Sequence, residues 1–188
     1  MAVDRQKAEQ AIHAFLTALG HDPAENPELA RTPALVTEAY ERELLAGYAI
    51  DVPALLTAES GKLSPDEPRG LVVLRNVHVA TLCPHHLLPG TGIATVAYVP
   101  GDRVVGIGAL ARTVEAFARR LTLQETIGEA VVRALVEHAG ARGAYCRVEL
   151  SHACLSTRGA RQTEATLVTV ARAGAPITDA ELGPGGLR

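Results

Sequence analysis

Tryptophan is absent from this 188-residue chain, aromatic residues amount to 3%, and there is a single methionine. So few flat rings leave little on which unpaired bases stack. A net charge of −3 exerts no general pull on a polyanion or an anionic lipid surface. Nucleic acid and membrane are therefore not expected partners. Long apolar runs are missing too: nothing approaches the roughly 20 residues of a membrane span. Met1-Ala2-Val3-Asp4-Arg5-Gln6-Lys7 leads into no export-signal core. Cysteine occurs three times, an odd number that makes a disulfide framework the wrong reading in a chain without an export signal. The expectation is a cytoplasmic protein with reduced thiols.

What is present is ordinary for a folded protein. Apolar residues make up 47% and charged residues 21%, enough for one globular domain and short for two. Residues 4 to 19 have helical periodicity through Ala8, Ile12, Phe15, Leu16 and Leu19, with Gly20 as the stop. Thr32-Pro33 opens a second helix, with Val36, Tyr40 and Leu44 as its buried stripe and Gly47 as its end. Residues 57 to 70 read as a loop. After it the texture changes: residues 71–79 and 92–99 are β-rich. Leu110, Val114, Phe117 and Leu121, then Ile127, Val131, Leu135 and His138, have helical spacing. Residues 144–153 and 162–171 are two more strands. This order predicts an α+β fold with a four-stranded antiparallel sheet and two helices on one face. It divides the chain into a helical N-terminal arm and loop (1–70), a core (71–173) and a loose tail (174–188). A small sheet with a single helical layer leaves edges and a face to cover, so a homo-oligomer is expected.

The chemistry lies in two short segments. Cys83-Pro84-His85-His86 sets a thiol and an imidazole three apart, and Ser151-His152-Ala153-Cys154 ends a strand, where alternation places His152 and Cys154 on one face. Two thiolates and one imidazole, from Cys83, His86 and Cys154, suit Zn²⁺. Three protein ligands with an open fourth position are the arrangement of a catalytic zinc, able to lower the pKa of bound water. His85 and His152 are then spare imidazoles beside the metal, which reads as a pair of proton carriers. Cys146, alone in a strand, reads as a packed small hydrophobe.

Cys83-Pro84-His85-His86-Leu87-Leu88-Pro89, Val96-Ala97-Tyr98-Val99-Pro100, Val105-Gly106-Ile107 with Leu110-Ala111-Arg112, Phe117-Ala118-Arg119-Arg120, Gln124-Glu125, and His152-Ala153-Cys154 with Arg158-Gly159 follow one another in a recognisable order. From about residue 32 to residue 172 the chain resembles the GTP cyclohydrolase I family. The resemblance implies the tunnelling fold and a toroidal homodecamer with sites between subunits. It implies Cys83, His86 and Cys154 as zinc ligands and His85 and His152 as catalytic histidines serving ring opening at C8 of a guanine. It also implies Gln124 and Glu125 as readers of the guanine edge. Glu125 has a second reading: Thr122-Leu123-Gln124-Glu125 fits a capping box in which the carboxylate bonds back to the helix start.

One part of the pattern is thinned. Where the family carries an Arg and, three residues later, a Lys after Thr-Pro, this chain has Leu35 and Glu38, and the family's Ser-Lys is Gly108-Ala109. Arg112 and Arg158 persist as substrate-binding candidates. Each charge-assisted phosphate contact is worth on the order of 1.5–3 kcal/mol, so three losses weaken a triphosphate site severely unless Arg31 or Arg75 compensates. The expected substrate is a guanine-like purine, base or nucleoside, that lacks a triphosphate. The alternatives are an authentic GTP cyclohydrolase I yielding dihydroneopterin triphosphate and formate, and a non-catalytic zinc-stabilised oligomer.

Overall fold

Helix α1 (Arg5–Ala18) starts where the Asp4 carboxylate accepts the Lys7 amide, and ends at Gly20, whose φ of 85° suits a residue without a side chain. The computed structural model describes residues 3–64, 66 and 70–182. Helix α2 (Thr32–Ala39) packs against α1 and then loosens into a wider π turn (Tyr40–Leu44) and a 3₁₀ turn (Ala46–Ala49). The single helix expected as far as Gly47 is therefore divided. Helix α3 (Val52–Ala58), which the periodicity does not reveal, is set by Asp51 capping the Ala54 amide at 3.0 Å and by Pro53 in its first turn. It is too short to show a period of its own.

The expected loop at 57–70 contains β1 (Ser60–Lys62), which pairs with β4 (Arg103–Val105) in a two-stranded ribbon. The main sheet is antiparallel throughout, in the order β2 (Val72–Leu82), β3 (Pro89–Val99), β5 (Gly143–His152), β6 (Leu167–Gly174). Its register aligns Thr81, Gly90 and His152 across three strands. A bulge between Leu74 and Val77 holds Asn76 at a φ of 55°.

Helices α4 (Ile107–Ala118) and α5 (Gln124–Ala139) lie on one face of this sheet, as the α+β reading expects. Between the layers Val79, Ala94, Val96, Cys146, Val148 and Leu150 meet Leu110, Val114, Ile127, Val131 and Leu135, forming the main core. Full burial of an aliphatic side chain such as Ile127 or Leu135 contributes about 1.5–3 kcal/mol. Gly140 closes α5 in the left-handed conformation, at a φ of 67°.

The C-terminal end differs from the sequence expectation in two places. The last strand begins at Leu167, not at 162, because the chain first curls through Arg161 (φ 53°) and bonds Gln162 N back to Leu155 O. The stretch after Gly174, expected to be loose, instead places Ile177 and Leu182 against Ala97 and Tyr145 on the far face of the sheet, with α7 (Asp179–Leu182) included. Small residues and prolines hide two buried anchors there. The remainder of that expected tail, 183–188, lies outside the described residues.

Among the described residues α1 has no buried residue: Phe15 is 61% and Leu19 59% exposed, so two of the five residues of the predicted stripe face outward. Leu167, Val168 and Val170 are likewise exposed on the edge strand β6. Among the described residues no helix is long and apolar enough to cross a membrane.

Candidate metal centre and active site

The metal loop is a tight turn closed on itself. Cys83 N donates to Leu88 O at 3.0 Å and Leu87 N to Cys83 O at 2.9 Å, which leaves the side chains of Cys83, His85 and His86 at the end of β2. Leu82 and Thr122 hold the start of α5 against that end, with Thr122 N donating to Leu82 O at 3.3 Å.

Cys154 arrives differently from expectation. Strand β5 ends at His152 and the chain turns into a short helix, α6 (Ala153–Ser156), so strand alternation does not relate His152 to Cys154. The first turn of α6 nevertheless delivers the thiol. The ligand atoms of Cys83, His86 and Cys154 all lie within 4.8 Å of one another. Cys83 Sγ is 3.6 Å from His86 Nδ1, close to the ~3.6 Å between a sulfur and a nitrogen that share a tetrahedral zinc. Burial and the neighbouring Cys83 sulfur push the Cys154 thiol above its ordinary range, while the Arg158 guanidinium pulls it down. A second sulfur that disfavours ionisation of Cys154 is offset by a cation placed between the two. Geometry and donor chemistry both fit a divalent zinc.

Around this cluster, His85 Nδ1 stands 3.8 Å from Cys83 Sγ, and the His85 and His86 rings meet edge to face with centroids 6.1 Å apart. Arg158 Nη1 is 2.9 Å from His86 Nε2. His152, half-buried, has Nε2 2.7 Å from Gln124 Oε1.

Gln124 is 2% exposed. Its Nε2 donates to Val148 O and Leu167 O, both at 2.9 Å, and to Thr169 Oγ1 at 3.3 Å. Its amide is thus engaged inside the protein, where the family resemblance implies a reader of the base. Glu125 is exposed in the first turn of α5. The capping box is not formed: Leu123 is the N-cap residue, and the Thr122 hydroxyl bonds to Leu123 O. The Glu125 carboxylate is left to face outward.

Arg112 stands apart. Its guanidinium pairs with the Glu59 carboxylate and bonds to Gly108 O, and it lines a groove of about 740 Å³ between α4 and the edge of β2 with His78, Thr91 and Glu115. Among the described contacts none joins it to the thiol cluster. Leu35 is 50% exposed, and Glu38 pairs with Arg42 at 2.9 Å.

Three participants escape the sequence reading. Gly90 packs on the His152 ring, Glu59 occupies Arg112, and the Tyr40 hydroxyl donates to Leu87 O at 3.1 Å. Each is a cross-chain contact with no local motif to announce it.

Fold and site together place the chain among α+β proteins built around an open thiolate–imidazole centre with flanking histidines. The family model of GTP cyclohydrolase I matches residues 8–183. Similar proteins include GTP cyclohydrolase 1 of Leifsonia xyli, 39% identical over 184 residues (95% of this chain, 93% of that protein). GTP cyclohydrolase 1 of Chromobacterium violaceum is 41% identical over 180 residues (95% of this chain, 84% of that protein). A crystal structure of the archaeosine synthase QueF-Like in the apo form aligns at a TM-score of 0.48 and 17% identity, over 60% of this chain and all of that one. The chain belongs to the GTP cyclohydrolase I family, and its core has the α+β architecture expected from the sequence, a four-stranded antiparallel sheet with two helices on one face.

Proposed function

We propose that the protein is a zinc-dependent cyclohydrolase that opens the imidazole ring of GTP at C8, with formate and dihydroneopterin triphosphate as products. The observation that carries this reading is the convergence of Cys83, His86 and Cys154, with His85 beside them and His152 two residues before Cys154. The name borne by relatives at about 40% identity supports GTP as the substrate. Cys83, His86 and Cys154 would hold the zinc, which when bound would supply the acidity that activates a water.

The chain's own residues do the rest. His85 and His152 hold and return protons at the ring nitrogens as the C8–N bonds break. The Glu125 carboxylate accepts from N1–H and the 2-amino group of the guanine, a selective contact because a base without those donors leaves the carboxylate unpaired. Were His86 to hold the metal through Nδ1, which faces Cys83 Sγ, its proton would sit on Nε2 and the Arg158 guanidinium would be available to an anion. Arg112 is the second candidate for phosphate, once released by Glu59. The two open sheet edges, β2 and β6, and the exposed apolar residues of β6 support a homo-oligomer, a decamer by family. Glu125 and Arg112 then complete sites at subunit boundaries.

A second reading, a guanine-like purine without a triphosphate, is favoured by one observation: Arg112 is already paired with Glu59, and Leu35 and Glu38 stand where the family keeps cations. One experiment separates these readings. Zinc-loaded protein is incubated with GTP, guanosine and guanine, and formate and the fluorescence of the oxidised pterin product are followed. Turnover of GTP supports the main reading, and turnover of guanosine or guanine alone supports the second. No turnover of any of them, with zinc still bound, leaves a zinc-stabilised oligomer without catalysis. Cys83→Ala should remove both metal and turnover.

A further inference from the structure

The polar atoms of Gln124 are arranged in one direction. Its amide nitrogen faces two backbone carbonyls, Val148 O and Leu167 O, which only accept hydrogen bonds. That contact fixes which end of the amide is nitrogen and which is oxygen. Oε1 therefore points at His152, 2.7 Å from Nε2. An amide oxygen is an acceptor, so the bond requires a proton on His152 Nε2. In the neutral ring the lone pair then belongs to Nδ1.

Gly90, on the neighbouring strand, gives an independent view of that second nitrogen. It is the cross-strand partner of His152, and a Cβ built on it would stand 3.0 Å from Nδ1 and 3.1 Å from Cε1. Glycine brings no side chain against the Nδ1–Cε1 side of the ring. One neighbour bonds Nε2, and the other leaves the space a Cβ would take beside Nδ1 unfilled.

We propose that Gln124 is a positioning residue: it holds His152 in the Nε2–H tautomer and presents Nδ1 as the atom that exchanges a proton with the substrate, rather than reading the base itself. The proposal deepens the cyclohydrolase reading and rests on it for the role of His152. An amide suits the task because it orients the ring without adding a negative charge beside two thiolates. It also explains why a polar side chain only 2% exposed sits at the start of α5, where it is anchored by three strand contacts and spends its oxygen on one ring nitrogen.

The test uses the zinc-loaded protein with ¹⁵N-labelled histidine in solid-state NMR, the His152 signal being assigned by its loss in His152→Gln. The wild-type protein should show His152 protonated on Nε2 and bare on Nδ1. Gln124→Met, similar in shape but with no acceptor of comparable strength, should show a mixture of tautomers. With GTP, its kcat should fall about 100-fold, the range of a misplaced general acid–base group, while KM changes less than about threefold and zinc stays bound. Gln124→Glu keeps an acceptor for Nε2–H but has no donor for the Val148 and Leu167 carbonyls, so it should recover only part of the lost kcat, still above Gln124→Met. A wild-type proton on Nδ1, or a Gln124→Met protein whose KM rises while kcat holds, overturns the proposal. Absence of GTP turnover by the wild-type protein defeats the cyclohydrolase reading instead, and the wild-type spectrum still decides the tautomer if Gln124→Met does not fold.

Discussion

The hydroxyl of Tyr40 donates to the carbonyl of Leu87, 3.1 Å away, and so ties the helical arm to the loop that carries Cys83, His85 and His86. Leu87 sits at a φ of 55°, an unfavourable conformation for a branched side chain, so its peptide needs outside support. Tyr40→Phe should cost about 0.5–1.5 kcal/mol, the net value of one hydrogen bond. The loss should be read in zinc affinity more than in melting temperature, because the α1–α2 pair that precedes Tyr40 packs mainly on itself. A competition titration with a zinc indicator measures the first and thermal unfolding the second.

Gly90→Ala brings a methyl group within 3.0 Å of His152 Nδ1 and 3.4 Å of Thr81 Cγ2. Crowding of this kind costs about 1–3 kcal/mol. A displaced ring lowers turnover further, by roughly tenfold or more, since small misplacements of catalytic groups are expensive. Zinc content should be unchanged, because neither neighbour is a ligand. Metal analysis alongside kcat distinguishes this outcome from collapse of the centre.

Glu59→Gln frees Arg112 from its partner. Both side chains are well exposed, 47% and 39%, so the pair is worth at most about 1 kcal/mol. The expected result is a KM for GTP lowered by up to about fivefold at low salt, with kcat unchanged and the gain fading as ionic strength rises. Guanosine should show no such gain. A KM for GTP that does not move at low salt would exclude Arg112 from phosphate binding.

Cys146 is fully buried in the main core, and burial pushes its thiol up to about 12. The sign follows from linkage. The unfolded thiol loses its proton near its ordinary value of about 8.5 and the folded one does not, so the stabilisation is complete below that pH and is lost as pH rises towards 12. Stability should fall between about pH 9 and 12. In Cys146→Ala the protein should be less stable at pH 7 by about 1–2 kcal/mol through the buried sulfur that is lost, and its alkaline decline should be shallower. Denaturant unfolding at pH 7.5 and pH 10.5 supplies both numbers.

Much of this molecule is legible in the chain because its signals are local. The periodicities of α1, α4 and α5, Gly140 as a stop, and the β-rich runs at 71–79 and 92–99 each depend on neighbours in sequence. The ligand trio is legible because Cys83 and His86 are three apart and the pattern at 152–154 is short. Strand alternation does not explain the position of Cys154, because the backbone turns helical at Ala153. Gln124 was missed as a support for His152 because its partners, Val148 and Leu167, are distant in sequence, and only the register of β5 with β6 brings them together. The same holds for Ile177 and Leu182, whose burial depends on a sheet face that the sequence shows only as alternation. Helix α3 was missed for a different reason: Pro53 and Asp51 are start signals with too few residues after them to form a pattern.

The two halves of the thiol–imidazole centre come from either side of the whole helical layer, since β3, α4 and α5 all intervene between Cys83 and Cys154. On the proposed zinc reading, an ion would have no home until both helices had settled on the sheet and β5 had found β3, and metal capture would certify completed folding.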